Sequence, residues 1–233
     1  MPAIVPPVCV PAQNRHDPRV PRHTIRATID AVLAEAVALV TPPRCAACAE
    51  HTGRAADVLC AACRRALPWL RGSRCERCAL PLPHARGRCP ARDAAFDGAW
   101  AAVAYEGVAR DAMHALKFAA ARPLARVMAA QIAANAPPAL LGATPATTLV
   151  AVPPHPRRGR APSHQLGASR AARRDPANLR FAARGPAPPR VVLVDDVHTT
   201  GATLSACAAA LRQAGSEHVA AITWARTLDE RLR

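Results

Sequence analysis

Short apolar runs alternate with helical patterns along the C-terminal half of the chain. Apolar runs that predict strands lie at 99–105, 149–152, 191–194 and 218–225. Apolar residues recur at helical spacing in 108–118, 124–134 and 204–214. The run 191–194 is apolar at every position, which indicates a strand buried on both faces, as in parallel sheets. This order predicts an α/β fold whose last helix completes a right-handed βαβ unit.

The N-terminal part has a different pattern. Residues 1–23 hold many prolines and scattered charges, so we expect a disordered tail without a regular element. Residues 24–43 place their apolar positions on one helical face and end at two prolines, which predicts a helix that packs against the body of the protein. A cysteine-rich module is expected at 44–95, followed by the α/β domain at 96–233.

Composition narrows the possible partners. The 233-residue chain has a net charge of +15, and Lys117 is its only lysine. A positive field of this size attracts phosphates, nucleotides or nucleic acid without distinguishing among them. Aromatic residues make up only 3% of the chain, which argues against a base-stacking platform for single strands. Because no apolar run has the length of a membrane span or forms a signal core, we expect a cytoplasmic protein without a membrane span.

Two Cys-x-x-Cys pairs near the start of the cysteine-rich module predict a zinc site. They are separated by eleven residues and consist of Cys45, Cys48, Cys60 and Cys63. Pairs with this spacing can converge on one tetrahedral Zn²⁺, and a cytosolic chain has little use for so many thiols as disulfides. The alternative is a set of redox thiols, for which a single pair would suffice.

A second set of possible zinc ligands follows but is less complete. Cys75, Cys78 and Cys89 provide three thiolates, and Arg92 stands where a fourth cysteine would repeat the spacing. His84 is the candidate fourth ligand, and a lost or water-completed site is the alternative. Both sites are expected to be structural, with metal replacing a hydrophobic core.

The apolar run 191–194 is followed by residues suited to a sugar phosphate. Asp195 and Asp196 come first, at the edge of the sheet where open α/β folds bind ligands, and they can accept hydrogen bonds from vicinal hydroxyls or help to hold a hydrated cation. The next segment supplies hydroxyls, backbone N–H groups and a helix start that fit a phosphate, and it consists of Thr199, Thr200, Gly201, Ala202 and Thr203. The alternative is an ordinary loop with threonine caps.

Basic residues elsewhere are candidates for a pyrophosphate. Pro153 begins a proline turn after the run 149–152, and Arg157 and Arg160 follow it, so they place donors near the same sheet edge. Lys117 lies near the end of the helical segment 108–118, where it either pairs with the helix terminus or binds phosphate. A solvated basic loop is the competing interpretation.

The segment 192–203 resembles the signature of type I phosphoribosyltransferases, which use phosphoribosyl pyrophosphate (PRPP). Together with the cysteine pairs, Lys117 and the segments 152–165 and 173–181, it makes the chain similar to the ComF family, which is linked to DNA uptake. The resemblance implies a doubly wound, mostly parallel sheet behind a zinc ribbon, and PRPP bound with Mg²⁺. In that family the acidic pair Asp195 and Asp196 would bind the ribose during catalysis, the threonine loop would hold the 5-phosphate, and Pro153, Arg157, Arg160 and Lys117 would lie on the pyrophosphate side.

One departure from the family bears on catalysis. Family members carry a further strand and a mobile loop where Gly167 here leads almost directly to Arg173, and Ser163 and His164 replace the usual Phe-Asn. We therefore expect a phosphoribosyltransferase that is impaired by an internal deletion. The alternative is a non-catalytic module that binds PRPP or single-stranded DNA and serves the DNA-uptake machinery.

Overall fold

The fold was analysed in a computed structural model, which describes residues 3–5, 42–54, 56–84, 87–119, 121–141, 147–153 and 181–228. The described helices are α1 (Ala61–Arg65), α2 (Gly107–Phe118), α3 (Pro123–Asn135), α4 (Pro138–Leu141) and α5 (Ala202–Gln213). The described strands are β1 (Ala3–Val5), β2 (Gly98–Ala104), β3 (Thr147–Ala151), β4 (Phe181–Ala183), β5 (Arg190–His198) and β6 (His218–Arg226).

A parallel sheet forms the centre of the α/β part. Its described strands lie in the order β2-β6-β5-β3, and all neighbouring pairs are parallel. Helix α5 connects the neighbouring strands β5 and β6 and buries its apolar face, including Leu204 and Leu211, in one core with Val191 and Leu193. The predicted α/β class and the parallel pairing are therefore confirmed.

Strand β5 is longer than the apolar run predicted. It continues to His198, so Asp195 and Asp196 lie within the strand and not after its end. The extension follows from pairing, because β6 continues alongside and places Asp195 opposite Thr223 and His198 opposite Arg226. Cross-strand pairing outweighs the low strand propensity of aspartate here. The pairing of β3 with β5 ends at Val194, so Asp195 and Asp196 lie beyond the last pair between these two strands.

Four short elements were not expected from the sequence, namely β1, β4, α1 and α4. Strand β1 pairs in parallel with β4, although residues 1–23 were predicted to contain no regular element. Its last residue, Val5, precedes a proline, and this position favours extended backbone. The four-residue helix α4 occupies a segment expected to be a loop. The other residues of 1–23 and the predicted helix at 24–43, apart from its final prolines, lie outside the described residues.

The described residues divide into two compact units. The sheet unit comprises described residues from 3–5, 70–104, 131–153 and 181–228, and the other unit comprises described residues from 42–69 and 105–130. The boundary between Trp69 and Leu70 falls inside the cysteine-rich module, so its second half belongs with the sheet. Within the described parts of the chain, no helix has the length and apolar character needed to cross a membrane.

Candidate metal centres and the sheet edge

The first four cysteines converge as the spacing predicted. The sulfur atoms of Cys45, Cys48, Cys60 and Cys63 all lie within 4.8 Å of one another. Cys48 Sγ and Cys60 Sγ are 3.8 Å apart. Two thiolates on a tetrahedral zinc, each about 2.3 Å from the metal, are separated by about 3.8 Å. The cluster, called the first ribbon below, therefore fits a zinc ion without rearrangement.

A tight backbone turn arranges the first pair of thiols. The Cys45 N–H donates to the Glu50 carbonyl at 2.7 Å, and the Ala49 N–H donates to the Cys45 carbonyl at 2.9 Å. The turn is completed by Ala49, whose φ of 62° is the left-handed conformation that glycine normally adopts. The second pair begins helix α1, where Cys60 is the N-cap and its Sγ accepts the Cys63 N–H at 3.4 Å.

The second cluster contains three cysteines and a histidine. The ligand atoms of Cys75, Cys78, His84 and Cys89 also lie within 4.8 Å of one another. Cys75 Sγ and Cys89 Sγ are 3.7 Å apart, and His84 Nε2 is 3.9 Å from Cys78 Sγ. These separations fit a tetrahedral zinc with mixed sulfur and nitrogen ligands. His84 thus occupies the fourth position of this cluster, which is called the second ribbon below.

The second ribbon repeats the turn of the first. The Cys75 N–H donates to the Leu80 carbonyl at 2.8 Å, and the Ala79 N–H donates to the Cys75 carbonyl at 2.8 Å. Ala79 has a φ of 62°, the same value as its counterpart Ala49 in the first ribbon. Arg77 adds a feature of its own, because its guanidinium donates to the carbonyls of Ala91 and Ala94, both at 2.8 Å.

Crowding of the thiols separates their pKa values within each cluster. Burial acts to raise the pKa of Cys45, but backbone N–H groups outweigh it and lower the pKa to about 6. Burial and the neighbouring thiols raise the pKa of Cys63. In the second ribbon, the pKa of Cys75 is lowered to about 7 by backbone and side-chain hydrogen bonds despite burial, whereas burial raises that of Cys78 to about 12. Several thiolates this close together require a cation, and zinc would supply the compensating charge.

The second ribbon is part of the core of the sheet unit. Cys78, Ala79 and Leu80 have no exposed surface, and they belong to one apolar cluster with residues of β2, β5 and α5. Phe96 and Leu193 are among the residues in that cluster. Loss of the metal from the second ribbon is therefore expected to weaken the packing of this core.

The acidic pair of β5 is divided between the two faces of the sheet. Successive strand residues point to opposite faces, and Val191 and Leu193 pack in the core with α5. By the same alternation, Asp195 lies on the face of the sheet that packs against α5. Burial and the charge of Asp195 raise the pKa of Cys207 on α5 to about 12. Asp196 lies on the other face, and its N–H donates to Asp195 Oδ1 at 2.8 Å. The carboxylates are adjacent along the chain and project to different sides.

The predicted phosphate loop forms a tight turn between β5 and α5. Thr199 and Thr200 are exposed, and Gly201 has a φ of 82° and is the N-cap of the helix. A Cβ atom on Gly201 would lie 2.8 Å from His198 Nε2, so both conformation and space require glycine here. The two remaining predicted residues, Ala202 and Thr203, begin α5.

A buried histidine lies beneath this turn. The ring of His198 is 1% exposed and meets Phe96 edge to face, with centroids 5.9 Å apart. Among the described residues, neither ring nitrogen has a hydrogen-bond partner. Burial, with a smaller contribution from the charge of Arg226, lowers the pKa of His198 to about 3, so the ring is neutral at physiological pH.

Arg226 was not identified from the sequence, although it connects several parts of the site. Its side chain is 1% exposed, and it donates to the carbonyls of Cys78 at 2.9 Å and His198 at 2.8 Å, and also to that of Thr199. Burial lowers its pKa to about 10, which the thiols of Cys78 and Cys89 oppose. The available sequence signal is an arginine that ends the apolar run 218–225.

The remaining predicted basic residues are placed only in part. Lys117 lies in the last turn of α2, in the unit that does not contain the sheet. Pro153 follows β3 at the sheet edge. Arg157 and Arg160 lie outside the described residues, as does the shortened segment between Gly167 and Arg173.

Comparison with protein families identifies the cysteine-rich module. Residues 36–92 match the family model described as "Double zinc ribbon domain", and the match includes both metal centres. The chain therefore contains a double zinc ribbon domain together with a parallel α/β sheet. Comparison with curated proteins and with solved structures gave no match.

Proposed function

We propose that the chain is a phosphoribosyltransferase-like protein of the ComF type, which binds PRPP together with Mg²⁺ at the C-terminal edge of its sheet. The observation that carries this proposal is the continuous path from β5, with Asp195 and Asp196, through the turn at Gly201 into the N-terminus of α5. This path presents carboxylates for a ribose diol and, a few residues later, donors for a phosphate.

The start of α5 is suited to an anion. Its first turn contains no acidic residue, and its N-cap, Gly201, contributes no capping side chain. The unopposed positive end of the helix dipole favours a bound phosphate. Thr200 Oγ1 accepts the Ala202 N–H at 3.4 Å, so its hydroxyl lies at the helix start and is placed to donate to a phosphate oxygen.

The two carboxylates share the binding of the ribose in this proposal, although they project to different sides of β5. Mg²⁺ is commonly bound by one or two carboxylates together with substrate phosphates, and it would neutralise the charge of the pyrophosphate leaving group. Asp195 and Asp196 would fix the ribose, so the protein contributes positioning and charge rather than covalent chemistry.

Calorimetry with PRPP and Mg²⁺ tests the proposal. Asp196→Asn and Thr200→Val should each weaken binding by about 1–3 kcal/mol, because each removes one hydrogen-bonding or charged group. Asp93→Asn is a matched control, since the Asp93 side chain is 85% exposed on the ribbon surface. Absence of PRPP binding to the wild-type protein, or equal weakening by Asp93→Asn, would refute the assignment.

A second assay separates the enzyme from a binding module. PRPP, Mg²⁺ and a panel of bases should give slow or merely hydrolytic pyrophosphate release, because we expect a chain without the family's mobile loop to exclude water poorly. Rapid base-dependent release would show that the shortened chain closes its site by another route. Single-stranded DNA bound by the arginines alone should dissociate steeply with added salt.

A further inference from the structure

A buried guanidinium joins the second ribbon to the proposed phosphate loop. Arg226, the last residue of β6, donates to the Cys78 carbonyl on one side and to the carbonyls of His198 and Thr199 on the other. It also donates to the Thr227 carbonyl at 3.0 Å. A charged donor with four carbonyl acceptors and almost no exposed surface holds its partners in fixed directions.

The contacts with the loop determine which backbone groups face outward. In a planar trans peptide, a carbonyl and the following N–H point in opposite directions. Arg226 donates to the carbonyls of His198 and Thr199, and the Thr227 N–H also donates to the His198 carbonyl at 3.0 Å, so the N–H groups of Thr199 and Thr200 point away from Arg226. Successive N–H groups that point outward at the start of a helix form a concave site for an anion.

The contact with the ribbon brings the metal into the same network. Cys78 is a ligand of the second cluster, and its carbonyl belongs to the turn closed by the hydrogen bond from Ala79 N–H to Cys75 O. Binding energy at a structural zinc site is folding energy, so metal would fix this turn and the direction of the Cys78 carbonyl. The first ribbon belongs to the other compact unit.

We propose that Arg226 is a positioning residue for the loop 199–201, and that occupancy of the second ribbon by zinc sets the conformation of that loop through it. The expected effect of the loop on ligand binding rests on the proposed function. The response of the loop to the metal does not rest on it. Zinc in the first ribbon should leave the loop unchanged, which makes the two ribbons a matched pair for the test.

Hydrogen–deuterium exchange of the full chain, purified with zinc and without ligand, measures the loop directly. The variants are Cys89→Ser for the second ribbon, Cys60→Ser for the first ribbon, and Arg226→Lys, which keeps the charge but not the fork of donors. Two amides report on the loop, because the Ser205 N–H donates to the Gly201 carbonyl at 2.8 Å and the Thr227 N–H donates to the His198 carbonyl at 3.0 Å. Cys89→Ser and Arg226→Lys should accelerate exchange at these two amides by about tenfold or more, since each releases hydrogen bonds that hold the turn. Exchange in β2 should stay at the wild-type rate in Arg226→Lys, which a general loss of stability would not allow.

Zinc content and PRPP titration complete the experiment. Arg226→Lys should retain both metals, so it remains informative if Cys89→Ser is insoluble. Equal loop exchange in wild type and Arg226→Lys, or equal acceleration by Cys60→Ser and Cys89→Ser, would overturn the inference. A loop that responds to metal in a protein that does not bind PRPP would refute the proposed function alone, and PRPP binding with an unresponsive loop would refute only this inference.

Discussion

The first and second ribbons use the same turn in different surroundings. Each has a Cys-x-x-Cys turn completed by an alanine with a φ of 62°, and each gathers four ligand atoms within 4.8 Å. The alanine of the first ribbon, Ala49, is exposed, whereas Ala79 of the second has no exposed surface. The same turn geometry therefore occurs on the protein surface in the first ribbon and inside an apolar core in the second ribbon.

Because of this difference, we expect loss of zinc from the two ribbons to have unequal effects on the stability of the sheet unit. Among the described residues, the core that contains the second ribbon includes none of the first-ribbon cysteines, so we expect the metal of the first ribbon to stabilise mainly its own turns. The second ribbon shares its core with β5 and α5, and Arg226 extends its contacts to the proposed phosphate loop. Metal in the second ribbon should stabilise the sheet unit as a whole.

Removal of one ligand from each ribbon should give the largest contrast. Cys78→Ser should lose the second zinc and destabilise the sheet unit, because it removes metal-binding energy and places a hydroxyl in an apolar core. Cys48→Ser, at an exposed ligand, should lose the first zinc and leave the sheet unit folded. Urea unfolding in a Trp69→Phe background, in which the remaining tryptophans Trp100 and Trp224 report on the sheet unit, measures both. Equal loss of sheet stability in the two variants would remove the distinction.

Acid should weaken the sheet unit through His198. The folded-state pKa of about 3 lies below the ordinary value of 6.5, so only the unfolded chain takes up the proton as the pH falls below 6.5. The stabilisation is complete above pH 6.5 and falls by about 1.4 kcal/mol per pH unit between there and pH 3.

The variant His198→Leu isolates this effect from the protonation of metal ligands, which both proteins share. Both ring nitrogens lack partners among the described residues, so leucine should cost little at neutral pH. Between pH 6.5 and 5, wild type should lose about 2 kcal/mol more unfolding free energy than the variant. An equal loss of unfolding free energy in wild type and His198→Leu over this pH range would show that the histidine is not buried in its neutral form.

Glycine substitutions at the two alanines should produce the smallest effects, with different outcomes. Ala49→Gly should stabilise the first ribbon by about 0.5–1 kcal/mol, because relief of the left-handed strain exceeds the entropic cost of glycine. Ala79→Gly should give no gain, since the loss of a buried methyl group offsets the same relief. Differential scanning calorimetry of both variants checks the pair, and a gain confined to Ala79→Gly would reverse the assignment of exposed and buried turns.

Much of the sheet could be predicted because its signals are local. The apolar runs and helical spacing placed β2, β6, α2, α3 and α5 to within a residue or two. The first ribbon followed from two Cys-x-x-Cys pairs, whose spacing limits the possible ligands. For the second ribbon the loop histidine His84 was one of two possibilities, because a histidine six residues after the pair carries no periodic signal.

What could not be predicted depends on contacts distant in the sequence. Arg226 binds the carbonyl of Cys78, 148 residues away, and backbone acceptors leave no trace in residue types. The end of β5 was misplaced because pairing with β6, not apolar character, continues the strand through Asp195 and Asp196. Their division between the two faces follows from that extension.

Metal analysis of the purified protein and of His84→Ala tests the central claim most directly. The account predicts two zinc ions per chain in wild type and one in His84→Ala, with the remaining ion lost when Cys60→Ser is added. One zinc in wild type, or two in His84→Ala, would contradict the claim that the chain contains two separate ribbons whose second is closed by a histidine.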